Sequence, residues 1–266
     1  MEYLLMYAEG SDPQPYSPAE DDIADWVAHV TARGVGEYGM RLRPGQDATT
    51  VRVRDGRTLV TEGPFTEARE WVGGFDIIDC ADLDEAIEVA SRHPAARFAT
   101  VEIRPFISVP DAAPGARVVP ADFAERPTTG KRYLMLVCVD PDAEPDSQDD
   151  PDAWVDQMDA RGVRHFGEVL QPPADATQVR VRDGQLLVSD GPFTESKEWI
   201  AGLDLIEVSD LPEAIEVAAA HPMAAGGVIV LSPLWLLDPE DDHVARHSRE
   251  APERDVRTEP PVAVPS

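Results

Sequence analysis

Apolar runs alternate with apolar stripes at helical spacing along the first part of the chain. Residues 2–8 (EYLLMYA) are nearly all apolar, which is typical of a strand that is buried on both faces. Ser17-Pro18-Ala19-Glu20 has the cap, the first-turn proline and the later glutamate of a helix start. Residues 35–42 predict a second strand. The helix between them carries a stripe formed by Ile23, Trp26, Val27 and Val30.

Residues 49–61 predict a β-hairpin. Valines alternate there with Arg52 and Arg54, so the two residue types point to opposite faces of a strand. Asp55-Gly56 supplies the tight turn with positive φ that two-residue hairpin loops prefer. A further strand over residues 71–80 then leads to a second helix.

This second helix is predicted to begin at Asp82, which caps it, with Glu85 three residues later. It ends at His93-Pro94, where a histidine cation would complement the helix dipole. A last strand is predicted over residues 98–107. The unit is therefore β-α-β, hairpin, β-α-β, which is a ferredoxin-like domain with a hairpin inserted in its middle.

The whole unit occurs twice. The pentapeptide Gly63-Pro64-Phe65-Thr66-Glu67 recurs as Gly191-Pro192-Phe193-Thr194-Glu195, and a hairpin over 177–189, a helix cap at Asp210 and a helix end at His221-Pro222 recur with it. The predicted organisation is repeat one over residues 1–109, a linker rich in Pro, Ala and Gly over 110–130, repeat two over 131–237 and an acidic disordered tail over 238–266.

A duplicated unit with an apolar sheet face must bury that face somewhere. The simplest solution is that the two repeats pack sheet to sheet and imitate a homodimer inside one chain. We therefore expect a monomer of the α+β class, in which two tandem ferredoxin-like repeats form a pseudo-dimer.

Composition narrows the range of partners. The 266 residues include 51 acids and 23 bases, for a net charge of −28. Such a field repels phosphate backbones, so we expect no direct binding of nucleic acid. The first residues lack the pattern of a signal peptide, and no apolar run approaches the roughly 20 residues that a membrane helix needs. The expected location is the cytoplasm, without membrane contact.

The sequences Gly63-Pro64-Phe65 and Asp190-Gly191-Pro192-Phe193 resemble the YCII-related family, in the branch named for its Asp-Gly-Pro-Phe motif. The resemblance extends to the arginine-containing hairpin, to the Asp-Leu-x-Glu-Ala helix and to residues 101–105 (VEIRP). It implies a dimeric α+β barrel, made here by one chain. Many members are encoded beside sigma factors, which implies a regulatory context and a sigma factor as a partner.

Relatives in the YCII family are suggested to carry a His–Asp dyad in the cleft, which implies acid–base chemistry. His29 stands on the first helix, where repeat two has Gln157, while repeat two has His165 in place of Glu37. The catalytic candidates are His29, Asp190, Glu195 and Glu198.

The glutamate pairs Glu67 with Glu70 and Glu195 with Glu198 have a spacing that one helical turn would place side by side. Close carboxylates can raise one pKa and create a general acid, although glutamates here could equally accept backbone N–H bonds and fix a turn. The hairpin arginines could grip an anionic ligand or could pair with these glutamates. The candidate ligand-binding residues are Arg52, Arg54, Arg104, Arg180, Arg182, Glu67 and Glu70.

The two repeats differ at positions of possible function. Repeat one has Glu62 where repeat two has Asp190, and it has Glu102 and Arg104 where repeat two has Val230 and Ser232. Either a composite site draws on both halves, or a duplicated scaffold has drifted.

Three functions stay open at this point. The first is the binding of a small ligand or a protein partner in a regulatory context. The second is an enzyme in which a carboxylate or His29 transfers protons on a small anionic substrate, and the third is a scaffold that contacts a sigma factor through its acidic surface. We expect no cofactor and no metal, because no phosphate-binding glycine loop, nucleophile elbow or zinc spacing appears, and the acidic residues 140–152 lack the pattern of a calcium loop.

Overall fold

The structure is a computed structural model, and it describes residues 1–9, 23–63, 71–107, 123, 128–139, 151–193 and 199–235. The predicted helix start at Ser17, the glutamate pairs of both motifs, most of the acidic run and the predicted tail lie outside these residues. The described part of the chain is α+β, with two antiparallel sheets.

The two repeats contain the same series of elements. Repeat one contains β1 (Glu2–Glu9), α1 (Ile23–Arg33), β2 (Gly36–Arg41), β3 (Thr49–Arg54), β4 (Arg57–Glu62), β5 (Trp71–Asp79), α2 (Leu83–Arg92), α3 (Ala95–Phe98) and β6 (Thr100–Pro105). Repeat two contains β7 (Lys131–Val139), α4 (Pro151–Ala160), β8 (Arg164–Val169), β9 (Thr177–Arg182), β10 (Gln185–Asp190), β11 (Trp199–Val208), α5 (Leu211–Ala220), α6 (Met223–Gly226) and β12 (Val228–Pro233). The short helices α3 and α6 were not predicted.

Contacts between neighbouring residues explain where α2 begins and where the chain turns in the first hairpin. The Asp82 carboxylate accepts a hydrogen bond from the Glu85 N–H at 3.0 Å, as predicted. The Glu85 side chain accepts from the Ala81 N–H at 2.7 Å, one residue before the N–H that a standard capping box uses. Asp55 and Gly56 have φ values of 52° and 69°, the left-handed conformations that this hairpin turn requires. The same cap and the same turn recur in repeat two.

Each sheet combines strands of both repeats. Within a repeat, the order β6-β1-β5-β2 or β12-β7-β11-β8 is that of a ferredoxin-like sheet. The hairpin β9–β10 of repeat two then pairs with β6, where Val101 stands opposite Val179. The hairpin β3–β4 of repeat one pairs with β12, where Val51 stands opposite Ile229. The two repeats have exchanged hairpins, an arrangement that the sequence analysis did not predict.

One apolar core lies between the repeats, and it includes residues of both sheets such as Leu4, Met6, Leu134 and Leu136. Phe123, in the predicted linker, is fully buried in this inter-repeat core. Two further cores lie on the opposite faces of the sheets, under the helices, and each takes in a valine of the exchanged hairpin.

Backbone hydrogen bonds also join the ends of the two sheets. At one end, the Arg43 N–H donates to the Pro233 carbonyl at 2.9 Å, and the Trp235 N–H donates to the Arg41 carbonyl at 2.9 Å. At the other end, the Ile107 N–H donates to the Val169 carbonyl at 2.9 Å. Across the described residues, no helix is long and apolar enough to cross a membrane.

Candidate functional site

Strands β5 and β11 each carry an aspartate between apolar residues in the middle of the strand, at the same register: Asp76 and Asp204. Asp76 stands opposite Gly39, and Asp204 stands opposite Gly167. A Cβ atom added to Gly39 would lie 1.7 Å from the Asp76 Oδ1 atom, and one added to Gly167 would lie 1.9 Å from the Asp204 Oδ1 atom. Glycine is therefore required in both repeats so that the carboxylate can lie against the neighbouring strand.

In repeat one, the partner of the aspartate is a tyrosine. The Tyr7 hydroxyl donates a hydrogen bond of 2.6 Å to the Asp76 Oδ2 atom. The Tyr7 ring stacks on His93 with 4.0 Å between ring centroids, and His93 meets the edge of Trp26 at 4.7 Å. His93 is held in turn by the Ala95 N–H, which donates to its Nδ1 atom at 3.1 Å. Asp76 thus lies in an aromatic cluster under the helices and keeps part of its surface exposed.

In repeat two, the partner of the aspartate is an arginine. The Arg164 Nε atom donates to the Asp204 Oδ1 atom at 2.6 Å, and another guanidinium nitrogen donates to the Gly167 carbonyl at 2.8 Å. Asp204 is only 5% exposed. The register position of Tyr7, opposite Gly74, is occupied in repeat two by Val137, opposite Gly202. The guanidinium of Arg164 therefore occupies in repeat two a position for which repeat one supplies no arginine, since Gly36 stands at the register position of Arg164.

Burial changes the acidity of both carboxyl groups. It raises the pKa of Asp76 to about 7, against the opposite effect of the Tyr7 hydrogen bond. It raises the pKa of Asp204 to about 6, and Arg164 counteracts this increase. Burial, together with Arg164, lowers the pKa of His221 to about 4, so the expected histidine cation at the end of α5 is wrong for His221. Asp76 is therefore a carboxyl group that titrates near neutral pH.

A buried ion pair connects repeat one to the motif of repeat two. Glu102 and Arg104 are each 1% exposed and form a salt bridge on β6. The Phe193 N–H donates to the Glu102 Oε2 atom at 2.7 Å, and Arg104 donates to the carbonyls of Gln171 and Ile200, both at 3.2 Å. Burial raises the pKa of Glu102, and Arg104 counteracts it. The pair therefore binds Phe193 of the repeat-two motif and two backbone carbonyls of repeat two.

The hairpin arginines Arg54 and Arg182 contact backbone carbonyls of the opposite repeat. Arg54 donates to the carbonyls of Ala225 at 2.7 Å and Gly227 at 3.0 Å, at the end of α6. Arg182 donates to the carbonyl of Ala96 at 2.8 Å, at the corresponding helix α3. Carbonyls at a helix end have no partner within the helix, so these arginines cap α6 and α3 and anchor the exchanged hairpins.

The remaining candidates are dispersed. The His29 Nε2 atom lies 3.8 Å from Glu88, among ion pairs on the outer surface of α1 and α2, and burial lowers its pKa. Asp190 is exposed at the end of β10, while Arg52 and Arg180 are partly buried on the exchanged hairpins. The four motif glutamates, Glu67, Glu70, Glu195 and Glu198, lie outside the described residues.

Sequence reasoning missed Asp76, Tyr7 and Arg164. The sequence contains a pattern that could have indicated the aspartates: a charged residue inside an apolar strand occurs at the same position in both repeats. An aspartate that must be buried needs a partner, and the partners differ between the repeats and come from other strands. No group of three or more His, Cys, Asp or Glu side chains that could hold a metal ion occurs among the described residues.

The chain is similar to a known domain family, to an uncharacterised protein and to a solved structure. Residues 3–109 and 132–237 each match the family model of the YCII-related domain. An uncharacterised protein of Rhizobium meliloti (strain 1021) is 37% identical over 110 residues, which cover 38% of this chain and 88% of that protein. The crystal structure of a proposed chlorite dismutase, TA0507, has a TM-score of 0.35 and 11% identity, and the alignment covers 92% of this chain and 97% of that chain.

Proposed function

Since the chain belongs to the YCII-related family and carries two copies of its domain, we propose that it is a binding protein with one ligand site, in repeat one. The site consists of Asp76 and Tyr7, with Gly39 beside them. Repeat two carries the same position in a closed form, where Arg164 fills the space beside Asp204.

One observation carries this proposal: the equivalent aspartates differ both in burial and in the partner of the carboxylate. The Asp204 carboxylate is neutralised by the Arg164 guanidinium and is 5% exposed. Asp76 accepts its hydrogen bond from a neutral hydroxyl and keeps part of its surface in solvent. A partly buried carboxylate without a cation is costly, and carboxyl groups with such perturbed pKa values cluster at functional sites.

The proposal includes a closed architecture, the dimeric α+β barrel formed within one chain. It is supported by the inter-repeat core and by the backbone hydrogen bonds at the two sheet ends, at Arg43 with Pro233 and at Ile107 with Val169. The exchanged hairpins add two further connections between the repeats. In this arrangement the helices and the Asp76 site lie on the outside of the barrel.

A thermal-shift screen of small metabolites tests the binding function. A ligand of the site raises the melting temperature of the wild type and fails to raise that of Asp76→Asn. Asp204→Asn is the matched control, because it alters the equivalent residue in the closed copy and should keep the response. A hit that shifts the wild type and Asp76→Asn equally would place the binding site elsewhere and would refute this assignment.

The second candidate function is acid–base catalysis on a small anionic substrate. It is favoured by the pKa of about 7 that burial gives to Asp76, since a general base works best when its pKa lies near the working pH. Incubation with 2-oxo acids in D2O, followed by proton NMR, would detect exchange at the carbon next to the carbonyl. Exchange that is lost in Asp76→Asn supports the enzyme, and exchange that equals the rate in buffer contradicts it.

We place this binding function in a regulatory, sigma-factor-associated context. The proposal is supported by the resemblance to the Asp-Gly-Pro-Phe branch of the family and by an acidic surface suited to a basic partner, given the net charge of −28. Co-purification from native cells, with and without the ligand found in the screen, tests it. Retention of a sigma factor supports the context, and its consistent absence contradicts it.

A further inference from the structure

In repeat two, a guanidinium group fills the position beside the aspartate. It therefore indicates which kind of group this position can bind. The Arg164 guanidinium donates to the Asp204 carboxylate and to the Gly167 carbonyl, and it lies 3.5 Å from Asp159. A Cβ atom on Gly167 would lie 2.2 Å from a guanidinium nitrogen of Arg164, so the glycine makes room for this group as well as for the carboxylate.

Repeat one has the same strands in the same register, but it has no guanidinium group at this position. Gly36 occupies the register position of Arg164, because Gly36 stands opposite Ile78 as Arg164 stands opposite Ile206. Gly39 occupies that of Gly167. In the described part of the chain, no basic side chain lies within ion-pair distance of Asp76.

The tyrosine in repeat one does not replace the arginine in space. Tyr7 belongs to β1, on one side of β5, and its hydroxyl contacts the Asp76 Oδ2 atom. Arg164 belongs to β8, which is the counterpart of β2 on the other side, and it contacts the Oδ1 atom of Asp204. The Oδ1 atom of Asp76 therefore faces Gly39 on the edge strand β2, while Tyr7 orients the carboxylate from the opposite side.

We infer that repeat one binds the guanidinium group of a small molecule at Asp76, in the place that Arg164 fills in repeat two. This inference rests on the proposed function and specifies its ligand class. A guanidinium matches a carboxylate through parallel N–H donors and is weakly hydrated, so it is suited to a partly buried site. The Gly39 carbonyl, at the position of the Gly167 carbonyl, offers the second acceptor. An ammonium group would satisfy the charge but not this paired geometry.

The test uses methylguanidinium and agmatine at millimolar concentration with the full chain at pH 8, where the Asp76 carboxyl is ionised because its pKa is about 7. Thermal shift and isothermal titration should show saturable binding to the wild type. Asp204→Asn should bind as the wild type does. Asp76→Asn should bind at least about tenfold more weakly, because it removes a charged hydrogen-bond partner. Equal affinity of Asp76→Asn and the wild type overturns the inference.

Arg164→Ala provides an internal calibration, because it empties the closed position of repeat two. Methylguanidinium should restore much of the melting temperature that this variant loses, as a ligand that binds the folded state stabilises it. Rescue of Arg164→Ala without any binding to the wild type overturns the inference for repeat one.

The outcomes separate this inference from the proposed function. An uncharged or anionic compound that binds in an Asp76-dependent way, while guanidinium compounds do not, refutes the ligand class and leaves the binding site in place. The absence of any Asp76-dependent ligand across the metabolite screen refutes both.

Discussion

Asp76 and Asp204 occupy one position of one fold in two different environments. Both lie on the strand next to the edge strand of a sheet, both face a glycine, and burial raises the pKa of both. The difference is the partner, since Asp204 has a guanidinium and Asp76 has a phenol. The comparison teaches that the fold supplies the buried acid, while one neighbouring side chain decides whether that acid has a cationic partner.

The Glu102–Arg104 pair reverses the comparison. Here repeat one has the buried ion pair, and the equivalent residues of repeat two are Val230 and Ser232. Each of these two ion pairs therefore occurs in one repeat and is absent from the equivalent position of the other. Exchanging residues between the repeats tests whether these ion pairs affect the free energy of unfolding as their contacts indicate.

The largest effect is expected from Arg104→Ala. It leaves the Glu102 carboxylate buried and uncompensated, and the free energy of unfolding should fall by about 3–5 kcal/mol. Chemical denaturation measures this loss. The control is the double change Glu102→Val with Arg104→Ser, which introduces the residues of repeat two and should cost less than half as much. A double variant as unstable as the single one would contradict this account.

Arg164→Ala should come next, with a loss of about 2–4 kcal/mol at pH 8 because Asp204 is left without its cation. The loss should shrink at pH 5, since burial raises the pKa of Asp204 and the carboxyl group can then take up a proton. Adding Asp204→Asn should remove most of the cost at pH 8. Denaturation at the two pH values measures both effects, and a pH-independent loss would exclude the charge as its cause.

Asp76→Asn should stabilise the protein. The folded pKa of about 7 lies above the ordinary value, so the folded state holds a proton that the unfolded state releases, and stability falls as pH rises from about 4 to 7. The variant avoids this cost and should gain about 1–3 kcal/mol at pH 8 and almost nothing at pH 4. The control is Asp156→Asn, on an exposed position of α4. A gain of the same size at both pH values would contradict the assignment.

The smallest effects are expected where the repeats agree. Asp82→Ala and Asp210→Ala each remove the side chain that caps α2 or α5, and each should cost about 1 kcal/mol. Melting temperatures of the two variants should fall by similar amounts, because the two caps have the same geometry. A cost that differs severalfold would mean that the repeats do not contribute equally to the stability of the whole chain.

The sequence was informative wherever structure is set by neighbouring residues. The cap at Asp82, the turn at Asp55-Gly56 and the apolar strand β1 depend on short segments, and all three were predicted correctly. The repeat itself was visible because the same segments occur twice. These features establish a ferredoxin-like unit and its family.

The hairpin exchange and the site depend on contacts between distant residues. Val51 and Val179 show the alternation of a half-buried strand, and this pattern is the same whether the hairpin joins its own sheet or the other one. Arg54 was interpreted as a ligand for anions or carboxylates, because a sequence does not reveal the helix-end carbonyls that it contacts. Asp76 was overlooked since its chemistry depends on Tyr7 and Gly39, which are remote in sequence.

The exchanged hairpins also determine what we expect when a protease cleaves the chain between the repeats. Strands β6 and β12 each have a neighbour supplied by the other half, so neither half completes its own sheet. A protease cut in the linker would therefore sever the polypeptide without freeing the two fragments. We expect them to co-elute under native conditions and to separate in denaturant, and each half made separately should recruit a second copy to cover its bare strand edge.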